Sequence, residues 1–233
     1  LNHLDIHKPL VSYYEHNKAQ RGGRILDRIL AGETCALVSD AGSPAISDPG
    51  EDLVRQCAEA GITVTAIPGP CAVITALSIS GLPTGRFTFE GFLSMSKKNR
   101  QEHLSSLRNE TRTMIFYEAP HKLQNTLKDL AETFGPDRPI SLCRELTKLH
   151  EEVFRTTIQG AMDRYAETPP KGEFVLVVAG AQKEAALEVT LEDALARMAA
   201  LMEQGLSRKD AARQAAQETG FPKNELYNGS MGS

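Results

Sequence analysis

Asp40 and Asp48 bracket a loop that holds Gly42, Pro44 and, just beyond, Pro49 and Gly50, directly after the apolar run Ala36-Leu37-Val38. A loop at the carboxyl end of a parallel strand is where open α/β sheets bind ligands. The chain has neither GxxxxGK[ST] nor GxGxxG, and two aspartates repel a phosphate. Carboxylates there suit a cation, or the hydroxyls of a sugar, which donate hydrogen bonds to them. The stretch "IPGPCA" at 67–72 has the same form: a tight Pro-Gly turn, then a helix whose unbonded N–H groups can hold a carboxylate. The two loops together suit a ligand with a positive centre, a carboxylate and a ribose. The competing reading makes both of them plain βα turns, with Asp48 capping the helix that follows, and the residues alone leave both readings open.

Such loops need strands to end on and helices to lead into. The apolar spacing predicts a helix from Arg24 to Ala31, a buried strand over 35–39, and a helix opening at Asp48-Pro49 with Leu53, Val54 and Cys57 on one side. A strand in "ITVTAIPGP" and an apolar helix in "CAVITALSISG" follow. Strands separated by helices of this length predict βαβ units and a parallel sheet. Beyond the linker "LPTG" come the strands "RFTFEGFL", "TMIFYEAP", "ISLCREL", "EEVFRTTI" and "GEFVLVVAG", the fourth antiparallel to the third. In the first of these, Phe87, Phe89 and Gly91 alternate with Thr88, Glu90 and Phe92. After Gly180 come three helical segments, with Thr190 and Ser207 as N-caps and Gly205 and Gly220 at C-cap positions, a helix-turn-helix-like tail. The closing "GSMGS" is set aside as a tag remnant. The expected fold is α/β: residues 1–83 with a parallel sheet, 84–181 with a mixed sheet, and a helical tail over 188–228.

At 233 residues the chain is long enough for two modest domains with real cores. With 26 basic and 30 acidic side chains it has no global field that recruits nucleic acid, so any such contact must use a local patch. Cys35, Cys57, Cys71 and Cys143 form no CxxC pair and no metal-ligand spacing, which predicts buried, reduced thiols in a cytoplasmic protein without a metal. The six histidines show no metal spacing either. No apolar run approaches the ~20 residues that span a bilayer, and no signal-peptide pattern is present. The first residue is Leu1 rather than Met, so the chain is expected to start downstream of an initiation site.

The motifs "LVSDAGSPAISDPG", "IPGPCAVITALSISGLP", "FEGFL", "IFYEAPHKL", "RELTKLHEE" and "KGEFVLVVAG", in that order, closely resemble the small-subunit ribosomal RNA 2′-O-ribose methyltransferase I family of the tetrapyrrole methylase superfamily. The resemblance covers essentially the whole chain, helical tail included. It implies two α/β domains of tetrapyrrole-methylase type, with S-adenosyl-L-methionine in the cleft between them. That cofactor has the positive centre, carboxylate and ribose that the two loops suit. The activity implied is methyl transfer to the ribose 2′-hydroxyl of a cytidine in the decoding region of 16S rRNA, as naked RNA or in the assembled small ribosomal subunit. A homodimer with no membrane partner is also implied. The family opens with a strand ending in "TPIGNL" and with an "EDTR" motif, and this chain begins just after them. Its first sheet is therefore expected to lack a central strand, and the cleft one wall.

Carried over motif by motif, cofactor contacts fall to Asp40, Ala41, Gly42, Ser43, Pro44 and Ile46, and to Gly69, Pro70, Cys71 and Ala72. The second half is expected to add Tyr117 and Glu118, then Gly172, Glu173 and Phe174. A sulfonium makes its methyl group electrophilic, so the protein need only align a hydroxyl in line with it and help remove a proton. Asp40, Glu118, Glu145 and Lys148 are the catalytic candidates, although Glu145 and Lys148, three apart, also read as a surface ion pair. RNA contact is expected from Lys97, Lys98 and Arg100 in "SKKNR", and from Arg208, Lys209 and Arg213 in the tail, where acidic neighbours dilute the charge. A tetrapyrrole C-methyltransferase on the same scaffold and a non-catalytic ribosome- or RNA-binding protein are the rival readings. The "SDAGSP" loop and the helical tail stand against the first.

Overall fold

The computed structural model describes residues 3, 5–14, 16–167, 169–182 and 190–229. The chain divides into two compact units, Leu1–Ala181 and Gln182–Ser233. In the first unit, β1 (Phe87–Phe92), β2 (Thr113–Glu118), β3 (Pro139–Arg144), β4 (Glu152–Thr157) and β5 (Phe174–Val178) form one mixed sheet in the order β1-β2-β5-β3-β4. β1 and β2 are parallel, and the other three pairings are antiparallel. The run "FVLVV" of β5 is buried throughout and takes the centre, because apolar side chains on both faces need cover on both.

Period-2 alternation divides the sheet into two packing faces. Met114, Phe116, Leu142, Leu176 and Val178 pack with α4 (Lys97–Ser106), α5 (Leu123–Phe134) and α6 (Ile158–Glu167). Ile115, Cys143, Val175 and Val177 turn the other way, onto Val73, Ala76 and Leu77 of α3 (Ala72–Ile79). Arg155 of β4 fixes that helix by donating to the Ile79 and Ser80 carbonyls at its C-terminal end, where a cation is favoured. Phe92, Tyr117, Val175, Cys143 and Val153 pair across the sheet in one row. The ends of β1, β2 and β3 and the starts of β5 and β4 therefore share one edge.

Ahead of the sheet, α1 (Lys18–Leu30) and α2 (Glu51–Glu59) pack through Ile25, Leu53 and Cys57. Tyr13 joins them, its hydroxyl donating to Asp52 at 2.7 Å. The parallel sheet expected in residues 1–83 does not form among the described residues: neither 35–39 nor 62–70 is a strand. A strand exists through its hydrogen-bonded neighbour, and these segments have none; Val38 is 62% exposed and Val64 50%. The same lack corrects the expectation of four buried cysteines. Cys57 and Cys143 are buried and Cys71 is half-buried, but Cys35 is exposed.

In the second unit, α7 (Leu191–Glu203), α8 (Arg208–Thr219) and α9 (Lys223–Gly229) close a small core of alanines with Met198, Leu201 and Leu226. Thr190 and Asp193 form a reciprocal capping box on α7, and Ser207 accepts from the Asp210 amide at the start of α8. Gly220 is the left-handed C-cap of α8. Residues 188–189 of the expected tail and 230–233 of the closing stretch lie outside the described residues.

Candidate active site

The two loops that the sequence singles out are bonded to each other. The Ser43 amide donates to the Pro70 carbonyl at 2.9 Å, and the Ser43 hydroxyl reaches the same oxygen at 3.3 Å. Gly42 approaches that carbonyl at a φ of 78°; a Cβ there would stand 3.1 Å from it, so glycine is required. Asp48 accepts from Ser39 Oγ at 2.5 Å and so braces its own loop. It does not cap α2, whose N-cap is Gly50. Asp40 is exposed and, among the described residues, makes no hydrogen bond or ion pair. Cys71 is the extended N-cap of α3 and gives its first turn no side-chain bond. Beside these, Ala41 and Ile46 are exposed and Pro44 is half-buried, leaving the loop open to a ligand.

Tyr117 and Glu118 are neighbours on β2 and so face opposite ways. Tyr117 lies on the α3 face, packed with Cys71. Burial, then the nearby Cys71 and Asp48, push its phenol up, while the Val73 amide bonded to it pulls the other way. Tyr117 thus joins the sheet edge to the second loop and the start of α3. The expectation that Glu118 shares this cleft is corrected: it is 3% exposed and turned toward α5. Its carboxylate accepts from Thr126 Oγ1 at 2.5 Å and from the Ala119 amide at 2.8 Å. Phe174, paired with Glu118 across the sheet, is likewise buried, edge-on to Tyr165 at 5.7 Å, and belongs to the core.

Glu145 and Lys148 close the same edge of the sheet. Glu145 accepts from the Glu173 amide at 2.9 Å and from Lys148 Nζ at 3.0 Å, and Lys148 also reaches Glu173 Oε2 at 2.8 Å. The Glu173 amide first, then Lys148, hold the Glu145 carboxyl below its usual range. Glu173, then Glu145, hold Lys148 above its own. Gly172, at a φ of 82°, makes this possible, since a Cβ there would lie 2.4 Å from Glu145 Cγ.

The basic residues divide by engagement. Arg100 donates to Asp129 at 2.6 Å, with the two side chains 21% and 15% exposed, and ties α4 to α5 instead of facing an RNA. Arg208 stacks over the Tyr227 ring at 5.0 Å and donates to the Tyr227 carbonyl at 3.1 Å, tying α8 to α9. Arg213 pairs with Asp210 at 3.0 Å. Lys97 and Lys209 are exposed, and Lys98, also exposed, lies 3.9 Å from Glu102 on the next turn of α4.

One feature escaped the sequence reading. The register of β1 against β2 shifts between Phe89 and Gly91, a β-bulge that breaks the expected alternation. Phe89 and Phe92, an odd number of residues apart, therefore both lie against Tyr117, with ring centroids at 5.0 and 5.5 Å. The signal was a glycine inside a strand pattern, which often marks a bulge.

Comparison with known proteins bears on the family and the fold. Residues 5–161 match the Tetrapyrrole (Corrin/Porphyrin) Methylases family, and 188–228 match the RsmI C-terminal HTH domain. The Ribosomal RNA small subunit methyltransferase I of Synechocystis sp. is 48% identical over 99% of this chain and 83% of its own. The protein of that name from Xylella fastidiosa (strain Temecula1) is 46% identical over 98% and 84%. Among solved structures, the methyltransferase CobJ superposes with a TM-score of 0.56 over 74% of each chain at 20% identity, a likeness of fold. The chain belongs to the tetrapyrrole methylase family and, within it, to the ribosomal RNA small subunit methyltransferase I family.

Proposed function

We propose that this methyltransferase uses S-adenosylmethionine to methylate the ribose 2′-hydroxyl of a cytidine in the decoding region of 16S rRNA. The observation that carries the reading is the bonding of the Asp40 loop to the Gly69–Ala72 loop, with Tyr117 of the sheet edge set against the latter. The donor set fits the cofactor. Asp40 is an open acceptor for its hydroxyl or amino groups, and the N–H groups of the first turn of α3 that neither Cys71 nor Tyr117 engages suit its carboxylate. When bound, S-adenosylmethionine supplies a methyl group made electrophilic by its sulfonium.

Glu118 and Glu145 both have donors on their carboxylates. Of the three candidate carboxylates this leaves Asp40 open, and we assign it the proton that the 2′-hydroxyl loses. Lys148, held as a cation by Glu173 and Glu145, favours the developing negative oxygen electrostatically and is not a base. Lys97 and Lys98 at the start of α4, with Lys209 and Arg213 one turn apart on α8, are the proposed phosphate contacts. The resemblance further supports a cytoplasmic homodimer; among the described residues no helix is long and apolar enough to cross a membrane. The test is methyl transfer to unmethylated small ribosomal subunits compared with transfer to the same subunits already methylated at the cytidine. Equal transfer to both would defeat the proposal.

A further inference from the structure

Phe92 is 55% exposed at the end of β1, on the sheet edge that carries Tyr117. Without the bulge it would alternate with Phe89 and point to the α5 face, as Glu90 does in the plain reading of the strand. The extra residue, with Gly91 at a φ of 64°, turns it onto the Tyr117 face instead. Tyr117 meets it at an interplanar angle of 64° and a centroid distance of 5.5 Å, which holds the ring while leaving much of it to solvent. Five and six residues on, at most ~20 Å of chain, stand the exposed Lys97 and Lys98. Between them Met95 is also exposed. An exposed, braced aromatic followed by exposed cations, Lys97 and, beside Glu102 at 3.9 Å, Lys98, matches the chemistry of an unpaired nucleotide: a ring to stack on and a phosphate to neutralise.

Resting on the function proposed above, we infer that Phe92, aimed by the Glu90–Gly91 bulge, is a stacking contact for an unpaired base of the substrate RNA. It sets substrate affinity and makes no contribution to holding the cofactor. The test compares Phe92→Ala, Phe92→Leu and Phe92→Trp with the unaltered protein. Calorimetry reads S-adenosylmethionine affinity, and steady-state transfer to unmethylated small ribosomal subunits reads kcat and KM. The Ala and Leu variants should bind the cofactor within twofold of the parent and lose roughly 5- to 100-fold in kcat/KM, mainly through KM, the range of a lost base–aromatic stack. The Trp variant should keep or exceed parental kcat/KM. Because Leu preserves apolar volume without a π-face, a Leu variant equal to the parent would overturn the inference. So would a loss of cofactor affinity matching the loss of transfer, or a changed sedimentation mass, which would assign the ring to a protein interface. Parental protein that binds S-adenosylmethionine but methylates no subunit would instead remove the proposed function itself, and this inference with it.

Discussion

The Ser43 amide donates a 2.9 Å hydrogen bond to the Pro70 carbonyl. Two loops that are separate in the sequence thereby become one surface, with Asp40 at one end and the start of α3 at the other. That bond supports the proposed ligand-binding reading of these loops, one of the two that the residues alone leave open. A plain βα turn need not reach across to its counterpart, and Asp48, the supposed helix cap, is spent on Ser39.

Under the proposed function Asp40 has two separable roles, and two substitutions separate them. Asp40→Ala should weaken S-adenosylmethionine binding at least tenfold, ~1.4 kcal/mol. Asp40→Asn keeps an acceptor oxygen but cannot take a proton, so it should bind more nearly like the parent and lose ~10²- to 10⁴-fold in kcat. Calorimetry and single-turnover transfer check the pair. An Asn variant with parental kcat would take the proton transfer away from Asp40.

Glu118 gives the opposite pattern. Removing its carboxylate in Glu118→Ala strands the Thr126 hydroxyl and the Ala119 amide in the interior, at a cost of ~1–3 kcal/mol of stability in denaturant titrations. Glu118→Gln can satisfy both groups and should retain transfer within a few-fold. A hundredfold loss in that variant, with the fold intact, would return Glu118 to the chemistry.

The contrast between these two carboxylates also shows what the sequence can and cannot reveal. Helix caps at Thr190 and Ser207, the central strand "FVLVV" and the antiparallel β3–β4 pair were legible because each is a local pattern with a local cause. Glu118 was misplaced because its motif names a strand end without naming a face, and one residue of register decides between cleft and core. Phe92 was misread for the same reason, through a bulge that only pairing reveals. The segments 35–39 and 62–70 carry the right composition for strands, but a ladder needs a partner, which composition cannot supply.

The acid side of the stability curve should carry the mark of Glu110. Its carboxylate accepts from the Arg112 guanidinium at 2.6 and 2.9 Å and from the Arg112 amide at 2.8 Å. The guanidinium first, then the amide, hold its pKa down from 4.5 to about 2. A carboxyl depressed on folding contributes stability that is fully present above its unfolded pKa and is lost as pH falls through the folded value. Glu110→Gln should therefore be less stable than the parent at neutral pH, and the gap should close between pH 4.5 and about 2. A gap constant over that window would contradict the pairing.

The proposed function divides the charge on α4 into binding by Lys97 and Lys98 and bracing by Arg100. Replacing Lys97 and Lys98 with glutamine should flatten the salt dependence of RNA binding by ~0.7–0.9 log units per lost phosphate contact, leaving thermal stability unchanged. Arg100→Gln should instead lower the melting temperature, because it breaks the half-buried pair with Asp129. The reverse assignment of these two effects would place the RNA along Arg100.

The central claim is the reaction itself, and labelled-methyl transfer tests it most directly. The protein is incubated with radiolabelled S-adenosylmethionine and unmethylated small ribosomal subunits, the RNA is digested, and the labelled nucleoside is identified. The account predicts label on the 2′-oxygen of a single cytidine in the decoding region. Label on a base, or none at all from protein that binds the cofactor tightly, would contradict it.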